Sequence, residues 1–298
     1  MTAIAFNHGL DDELFARVVR GADMHLGHMT FRRFPDGESY VRIESECHDQ
    51  TTLLCIDLSR PDAKLPGLIF AANILRDIGS SSVGLVAPYL PYMRQDAIFK
   101  QGEGLAARYF AKLLSEYFDW IVTVDPHLHR IDDLGDVFDI PATVVHASSP
   151  IAEWISRNVD EPFFLVGPDA ESEQWVADVA AQVGAEYVVL AKVRKGDRDV
   201  CVSVPDGFEV GGAVPVLIDD IVSSGHTMTE CAASFASDGV SRPVCIAVHA
   251  LLDDASLSRF SDAGIKQFVS CNSVAHSTNG IDLSGVLIRA IRHRLRQT

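Results

Sequence analysis

The densest chemistry in the chain lies in Val216-Leu217-Ile218-Asp219-Asp220-Ile221-Val222-Ser223-Ser224-Gly225-His226-Thr227. An apolar run ends in two acids, and small hydroxyl residues and a glycine follow. Ser223, Ser224, Gly225 and Thr227 put backbone N–H groups and hydroxyls where a helix begins near Thr227, which suits a phosphate monoester. Asp219 and Asp220 would repel that phosphate, but they can accept hydrogen bonds from sugar hydroxyls or hold a cation. Phosphate at one end and a diol at the other describes a ribose 5-phosphate. A plain strand-turn-helix junction with a Ser or Thr cap accounts for the hydroxyls. It does not account for two acids after a long apolar strand.

A second cluster is Lys192-Val193-Arg194-Lys195-Gly196-Asp197-Arg198, with four cations and one acid in seven residues of a chain that has six lysines. It reads either as a solvated basic turn or as a loop that closes over a polyphosphate and steadies charge during transfer. Arg94 and Gln95 pair a bidentate fork for phosphate with an amide; the plainer alternative is a surface pair of Arg94 with Asp96. Asp36-Gly37 is a turn signal between Arg32/Phe34 and Tyr40/Val41, so this segment is expected to form a hairpin. His127 follows Asp125-Pro126 at the end of an apolar run, where a lone histidine is usually structural. Asp169 holds the matching place in Gly167-Pro168-Asp169.

These groups need strands and helices to position them. Thr52–Ile56, Val83–Ala87, Trp120–Val124, Phe163–Val166, Tyr187–Leu190, Val214–Ile218 and Val244–Ala247 read as buried strands. Ala63–Ile78, Gly104–Phe118, Ser172–Val183, Thr227–Ser237 and Ile281–Arg296 read as helices. The alternation predicts an α/β protein with mainly parallel sheets and right-handed crossovers. Pro141–Pro150 looks like a change of domain, and the echo of Val124-Asp125-Pro126-His127 in Gly167-Pro168-Asp169 hints at a duplicated unit. The expected division is 1–147 and 148–298, with the last helix free to pack back on the first domain. Arg289, Arg292, Arg294 and Arg296 suit the C-terminal end of that helix.

Composition bounds the partners. The chain has 298 residues, of which 47% are hydrophobic, so disorder is not expected. It carries 25 Lys+Arg against 41 Asp+Glu, a formal charge of -16 that excludes nucleic acid as a partner. The same balance opposes phosphate-rich ligands at long range, but net charge governs only the far field, and small phosphates answer to local amides and cations. Neither a secretory leader nor an apolar run of membrane-spanning length stands out. The six cysteines form no CxxC pair and read as buried thiols of a reducing cytoplasm.

The motif at Ile218–Thr227 resembles the phosphoribosyl-diphosphate motif of type I phosphoribosyltransferases. Phe34-Pro35-Asp36-Gly37-Glu38, Tyr92-Met93-Arg94-Gln95-Asp96, Val124-Asp125-Pro126-His127, Phe138-Asp139-Ile140-Pro141 and Gly167-Pro168-Asp169-Ala170 extend the likeness over nearly the whole chain. In that order and spacing they are similar to the ribose-phosphate diphosphokinase family, in its archaeal-like branch. The resemblance implies two tandem phosphoribosyltransferase-like domains, each a mainly parallel sheet flanked by helices. It also implies Mg²⁺-dependent transfer of the diphosphoryl group of ATP to ribose 5-phosphate.

The same likeness assigns catalysis to Lys192 and Arg194; by analogy with other lost electrostatic groups, removing either should cost about 3–4 kcal/mol of transition-state stabilisation. It gives ATP to Phe34, Asp36, Glu38, Arg94, Gln95, Asp96 and His127. Ribose 5-phosphate falls to Asp219, Asp220, Ser223, Ser224, Gly225, His226 and Thr227. The cation falls to His127 and Asp169, with Asp125 and Asp139 as weaker candidates for a second one. Phe34, Asp36 and Glu38 would reach the adenine site of a neighbouring subunit, so the resemblance implies a homo-oligomer. The chain departs from the family at Ser223, where Asp is frequent, and at Ala170–Glu173, where a Gly pair is common. Gly102 stands where the allosteric branch has an arginine, so weak ADP inhibition is expected. A non-catalytic regulatory subunit, a phosphoribosyltransferase and a nucleotide sensor are the alternative readings.

Overall fold

The computed structural model describes residues 3–128, 130–131, 133–195, 199–203, 208, 210–237 and 239–298. The chain divides into two compact units. The first comprises Met1–His146, Ser273–Ala275 and Leu283–Thr298; the second comprises Ala147–Asn272 and His276–Asp282.

The first unit runs β1 (Ala3–His8), α1 (Asp12–Gly21), β2 (His25–Leu26), β3 (Met29–Arg33), β4 (Ser39–Ile43) and β5 (Thr51–Ile56). It continues through α2 (Leu65–Asp77), β6 (Ser82–Val86), α3 (Ala106–Tyr117), β7 (Trp120–Val124) and β8 (Ala142–Val145). Its main sheet is six-stranded and parallel, in the order β2-β1-β5-β6-β7-β8. Every residue of β5, β6 and β7 is buried, which is why these strands read as unbroken apolar runs. Gly84 admits the indole of Trp120, whose nearest atom lies 2.1 Å from where a Cβ would stand. β3 and β4 form a separate antiparallel hairpin, with α2 against β4.

The second unit runs α4 (Ser148–Asn158), β9 (Phe163–Gly167), α5 (Glu173–Val183), β10 (Tyr187–Val189), β11 (Ala191–Lys195) and β12 (Asp199–Ser203). There follow β13 (Val214–Val222), α6 (His226–Ser237), β14 (Val244–Ala250), α7 (Asp254–Asp262), β15 (Gln267–Cys271) and β16 (Asn279–Ile281). Its parallel sheet has the order β10-β9-β13-β14-β15-β16. Strand for strand, this is the order of the first sheet, as a duplicated unit requires. Its core gathers Phe164, Val166, Leu217, Met228, Phe235 and Phe260.

The last helix, α8 (Ser284–Leu295), belongs to the first unit. It packs on α1, where Gly21 makes room for Ile288, and Arg294 Nε donates to Thr143 Oγ1 at 2.8 Å. Cys47, Cys55, Cys231, Cys245 and Cys271 are buried free thiols; the side chain of Cys201 lies outside the described residues. Among the described residues, no helix is long and apolar enough to cross a membrane.

Candidate functional site

Both units present their polar groups at the carboxyl ends of their strands, where open α/β sheets take ligands. In the second unit, β13 does not stop before the acids. Pairing with β14 carries it through Asp219 and Asp220 to Val222, so the two carboxylates sit on a fixed strand end. Asp219 Oδ1 accepts from the Asp220 N–H at 3.0 Å, and Asp220 Oδ1 from the Ile221 N–H at 2.6 Å. Burial, then the neighbouring carboxylates of Asp220 and Asp169, push the Asp219 carboxyl well above the usual carboxylate range.

Beyond Val222 the chain turns through exposed Ser223 and Ser224 into Gly225, and α6 begins at His226. Gly225 has φ +73°, and the Phe260 ring comes within 2.3 Å of where a Cβ would stand, so no side chain fits there. The His226 N–H donates to Ser224 Oγ at 3.3 Å, and Glu230 pairs with His226 Nε2 at 3.0 Å. Arg259 holds the turn from α7, donating to the Ser224 carbonyl at 3.3 Å and to Ser256 Oγ at 2.6 Å. No sequence signal marked Arg259, because the contact spans 35 residues.

Asp169 follows β9 and caps a short 3₁₀ turn, Ala170–Ser172, that leads into α5. Its carboxylate accepts from the Glu171 N–H at 3.2 Å, and Ser172 Oγ donates back to the Asp169 carbonyl at 2.6 Å. Asp169 and Ser172 thus form a capping box over this turn. Lys192 and Arg194 lie on β11, opposite Val202 and Val200 of β12, so this segment is a hairpin rather than a continuous loop. Their side chains, and Gly196–Arg198, lie outside the described residues.

In the first unit, the expected hairpin turns at Phe34–Glu38. The Phe34 N–H donates to the Glu38 carbonyl at 2.8 Å, and Gly37 takes φ +94°. Phe34 is 38% exposed, and the Arg32 guanidinium lies 4.4 Å over its ring. Asp36 and Glu38 are exposed on the same turn. Arg94 is exposed, and its guanidinium makes no ion pair among the described residues; Gln95 is half-buried beside it.

The surface pair of Arg94 with Asp96 does not form. The Asp96 carboxylate is taken instead by Arg130 at 3.0 Å, a residue no motif singled out. At the end of β7, Asp125 is buried with φ +32°, and its Oδ1 lies 2.8 Å from His146 Nδ1. His127, two residues on, is half-buried. Asp139 is exposed before β8, with its N–H on Ser115 Oγ at 3.0 Å. That is the opposite end of the sheet from Asp125, so the structure does not bring these two candidate cation ligands together. Among the described residues, no three His, Cys, Asp or Glu side chains form a ready metal cage.

Comparison with known proteins bears on the same segments. Residues 4–117 match the N-terminal domain of ribose phosphate pyrophosphokinase, and residues 135–284 match the phosphoribosyl transferase domain. A ribose-phosphate pyrophosphokinase of Methanothermobacter thermautotrophicus is 30% identical over 276 residues, which cover 92% of this chain and 95% of the relative. The chain belongs to the ribose-phosphate pyrophosphokinase family. Its relative from Methanobrevibacter smithii is 29% identical over 291 residues, covering 94% of this chain and 97% of that one. In fold, this family member superposes on the crystal structure of a phosphoribosylpyrophosphate synthetase from Mycobacterium smegmatis. The TM-score is 0.86 at 22% identity, with all of both chains covered.

Proposed function

We propose that the protein transfers the diphosphoryl group of ATP to the 1-hydroxyl of ribose 5-phosphate, giving 5-phosphoribosyl 1-diphosphate and AMP. The observation that carries this reading is the β13–α6 junction. It holds two carboxylates on a fixed strand end and an open, glycine-dependent turn at a helix start, within a chain of this family.

In this reading the amides and hydroxyls of Ser223–Thr227 hold the 5-phosphate, and Asp219 and Asp220 accept from the ribose hydroxyls. Arg94 and Gln95 hold the ATP phosphates, with His127 beside them. Phe34, Asp36 and Glu38 recognise adenine or its ribose, reaching the site of a neighbouring subunit in a homo-oligomer. The sugar O1 attacks the β-phosphorus as the bond to the α-phosphate oxygen breaks. The O1 proton goes to solvent, and AMP leaves. Lys192 and Arg194 stabilise the negative charge that develops on the transferred group.

Asp219 and Asp220 end β13, Asp169 follows the neighbouring β9, and burial together with these like charges raises the Asp219 carboxyl; a divalent cation brought with the substrate would relieve that repulsion. His127 and Asp169 are each proposed as ligands for Mg²⁺, acting partly through water and substrate phosphate. The cation supplies charge neutralisation on the triphosphate. Buried free thiols support placing the reaction in the reducing cytoplasm.

The test is the protein with ATP, Mg²⁺ and ribose 5-phosphate. AMP that forms only with the sugar phosphate supports the reading. ADP in its place means ordinary kinase chemistry, and no conversion favours a non-catalytic subunit. Lys192→Ala should bind ribose 5-phosphate nearly normally while kcat falls about 10²–10³-fold. Loss of binding with turnover preserved would overturn the role given to Lys192.

A further inference from the structure

The position of Asp96 next to Arg94 and Gln95 suggests a nucleotide contact, but its carboxylate is committed within the first unit. Its side chain is 1% exposed, and both oxygens are used. Oδ1 accepts from Arg130 Nη1 at 3.0 Å, and Oδ2 from the Arg130 backbone N–H at 3.1 Å. Arg130 stands three residues after His127, with its guanidinium 5.4 Å over the Phe99 ring. One carboxylate therefore reaches from the turn that carries Arg94 and Gln95 to the segment that carries His127.

The turn is also held at its other end. Tyr92 takes φ +66°, its hydroxyl donates to Asp62, and its ring lies 4.8 Å from that of Phe110. Between these anchors, the Gln95 carbonyl accepts from the Ala107 N–H at 3.3 Å, at the start of α3. Arg94 is thus flanked two residues away on each side by a fixed side chain, while its own guanidinium stays exposed.

We infer that Asp96 is a positioning residue and that the Asp96–Arg130 clasp sets the Arg94–Gln95 turn and the His127 segment at one fixed separation for the ATP phosphates. The inference deepens the reading above and rests on it in taking ATP as the ligand. A two-point, charge-assisted pair suits this role, because it fixes direction as well as distance. Removing the Arg130 side chain leaves the buried Asp96 carboxylate without its counter-charge, and removing Asp96 leaves the guanidinium and the Arg130 N–H without their acceptor, so either loss loosens both segments.

The experiment compares Asp96→Ala, Arg130→Ala and the double variant in the full chain. It measures MgATP binding by calorimetry, KM for each substrate in the AMP assay, and hydrogen exchange at the Arg130 amide. Each single variant should weaken MgATP binding roughly 10- to 100-fold, with KM for ribose 5-phosphate within about twofold. The double variant should be no worse than the weaker single one, because the clasp is already open. Arg130→Lys should recover part of the loss, and exchange at the Arg130 amide should rise in Asp96→Ala.

A much larger effect of Asp96→Ala than of Arg130→Ala, multiplying in the double variant, would mean that Asp96 meets the nucleotide directly and would overturn the clasp. Unchanged MgATP affinity with only a lower melting temperature would overturn it as well. If Asp96→Ala fails to fold, Asp96→Asn replaces it, keeping an acceptor for the Arg130 N–H while losing the ion pair. Absence of AMP from the parent protein sinks the functional reading alone, since the calorimetric comparison still decides the clasp.

Discussion

His8 shows how much a single buried group can matter here without touching the chemistry. It ends β1 at 9% exposure, its ring 4.2 Å from that of Phe31, and its Nε2 has no hydrogen-bond partner among the described residues. Burial, then the Lys64 ammonium, lowers its pKa from 6.5 to about 4. Lys64 is itself fixed by the Asp57 carboxylate at 2.9 Å. The folded state therefore keeps His8 neutral, while the unfolded chain takes up a proton near pH 6.5. Between these two pKa values the unfolded state binds more protons, so stability rises with pH through the window and is lost as pH falls from about 6.5 to about 4. The full loss is roughly 3 kcal/mol. His8→Leu removes both the proton acceptor and the unpartnered buried nitrogen, so its melting temperature should exceed the parent's by more at pH 5 than at pH 8. Equal differences at the two pH values would mean that His8 does not titrate in this way.

At the scale of elements, junctions decide where the chemistry sits. Asp169 has two separable duties: it caps the turn into α5, and it stands at the strand end with Asp219. Asp169→Asn keeps an oxygen to accept the Glu171 N–H but loses the charge. It should hold the melting temperature near the parent value while AMP formation collapses. Asp169→Ala loses both, and should also cost about 1 kcal/mol of stability, read by chemical denaturation. If Asp169→Asn were fully active, the carboxylate charge would have no part in the reaction. Sequence located elements best where apolar runs were unbroken, as at Trp120–Val124, which the structure reproduces to the residue. It stopped β13 at Ile218 because acids end an apolar pattern, although backbone pairing does not depend on side-chain polarity. It left β8 inside the Pro141–Pro150 junction, since four residues beside prolines look like a connection. Lys192–Lys195 read as loop for its charge and is a strand of a hairpin. Backbone geometry set by local order was legible, including the Phe34–Glu38 turn and the glycine turn at Gly225. Arg130, His146 and Arg259 were not, because their roles arise from contacts between segments that sequence does not rank.

For the whole molecule, a repeated sheet order and a lopsided charge shape behaviour together. Two sheets of identical order each offer strand ends to a ligand, and they have diverged in what they offer. The first presents the exposed guanidinium of Arg94 with the half-buried His127, and the second presents the acids Asp169, Asp219 and Asp220 before the β13–α6 turn. A net charge of -16 sets a far field that repels any polyphosphate. Local amides can hold a monoester, but a bare triphosphate still meets that far field, and the carboxylates at the second unit's strand ends already repel one another. A divalent cation would remove both penalties in the proposed reaction, neutralising phosphate and giving the acids an opposite charge. The dependence should therefore be steep. With a chelator present, ATP and ribose 5-phosphate should give no AMP, and restoring Mg²⁺ should restore turnover. Raised monovalent salt screens the far field without bridging acid and phosphate, so it should not substitute for Mg²⁺. AMP formation in chelator with high salt would show that only long-range repulsion had to be overcome, and that the acids of the second unit have no cation to hold.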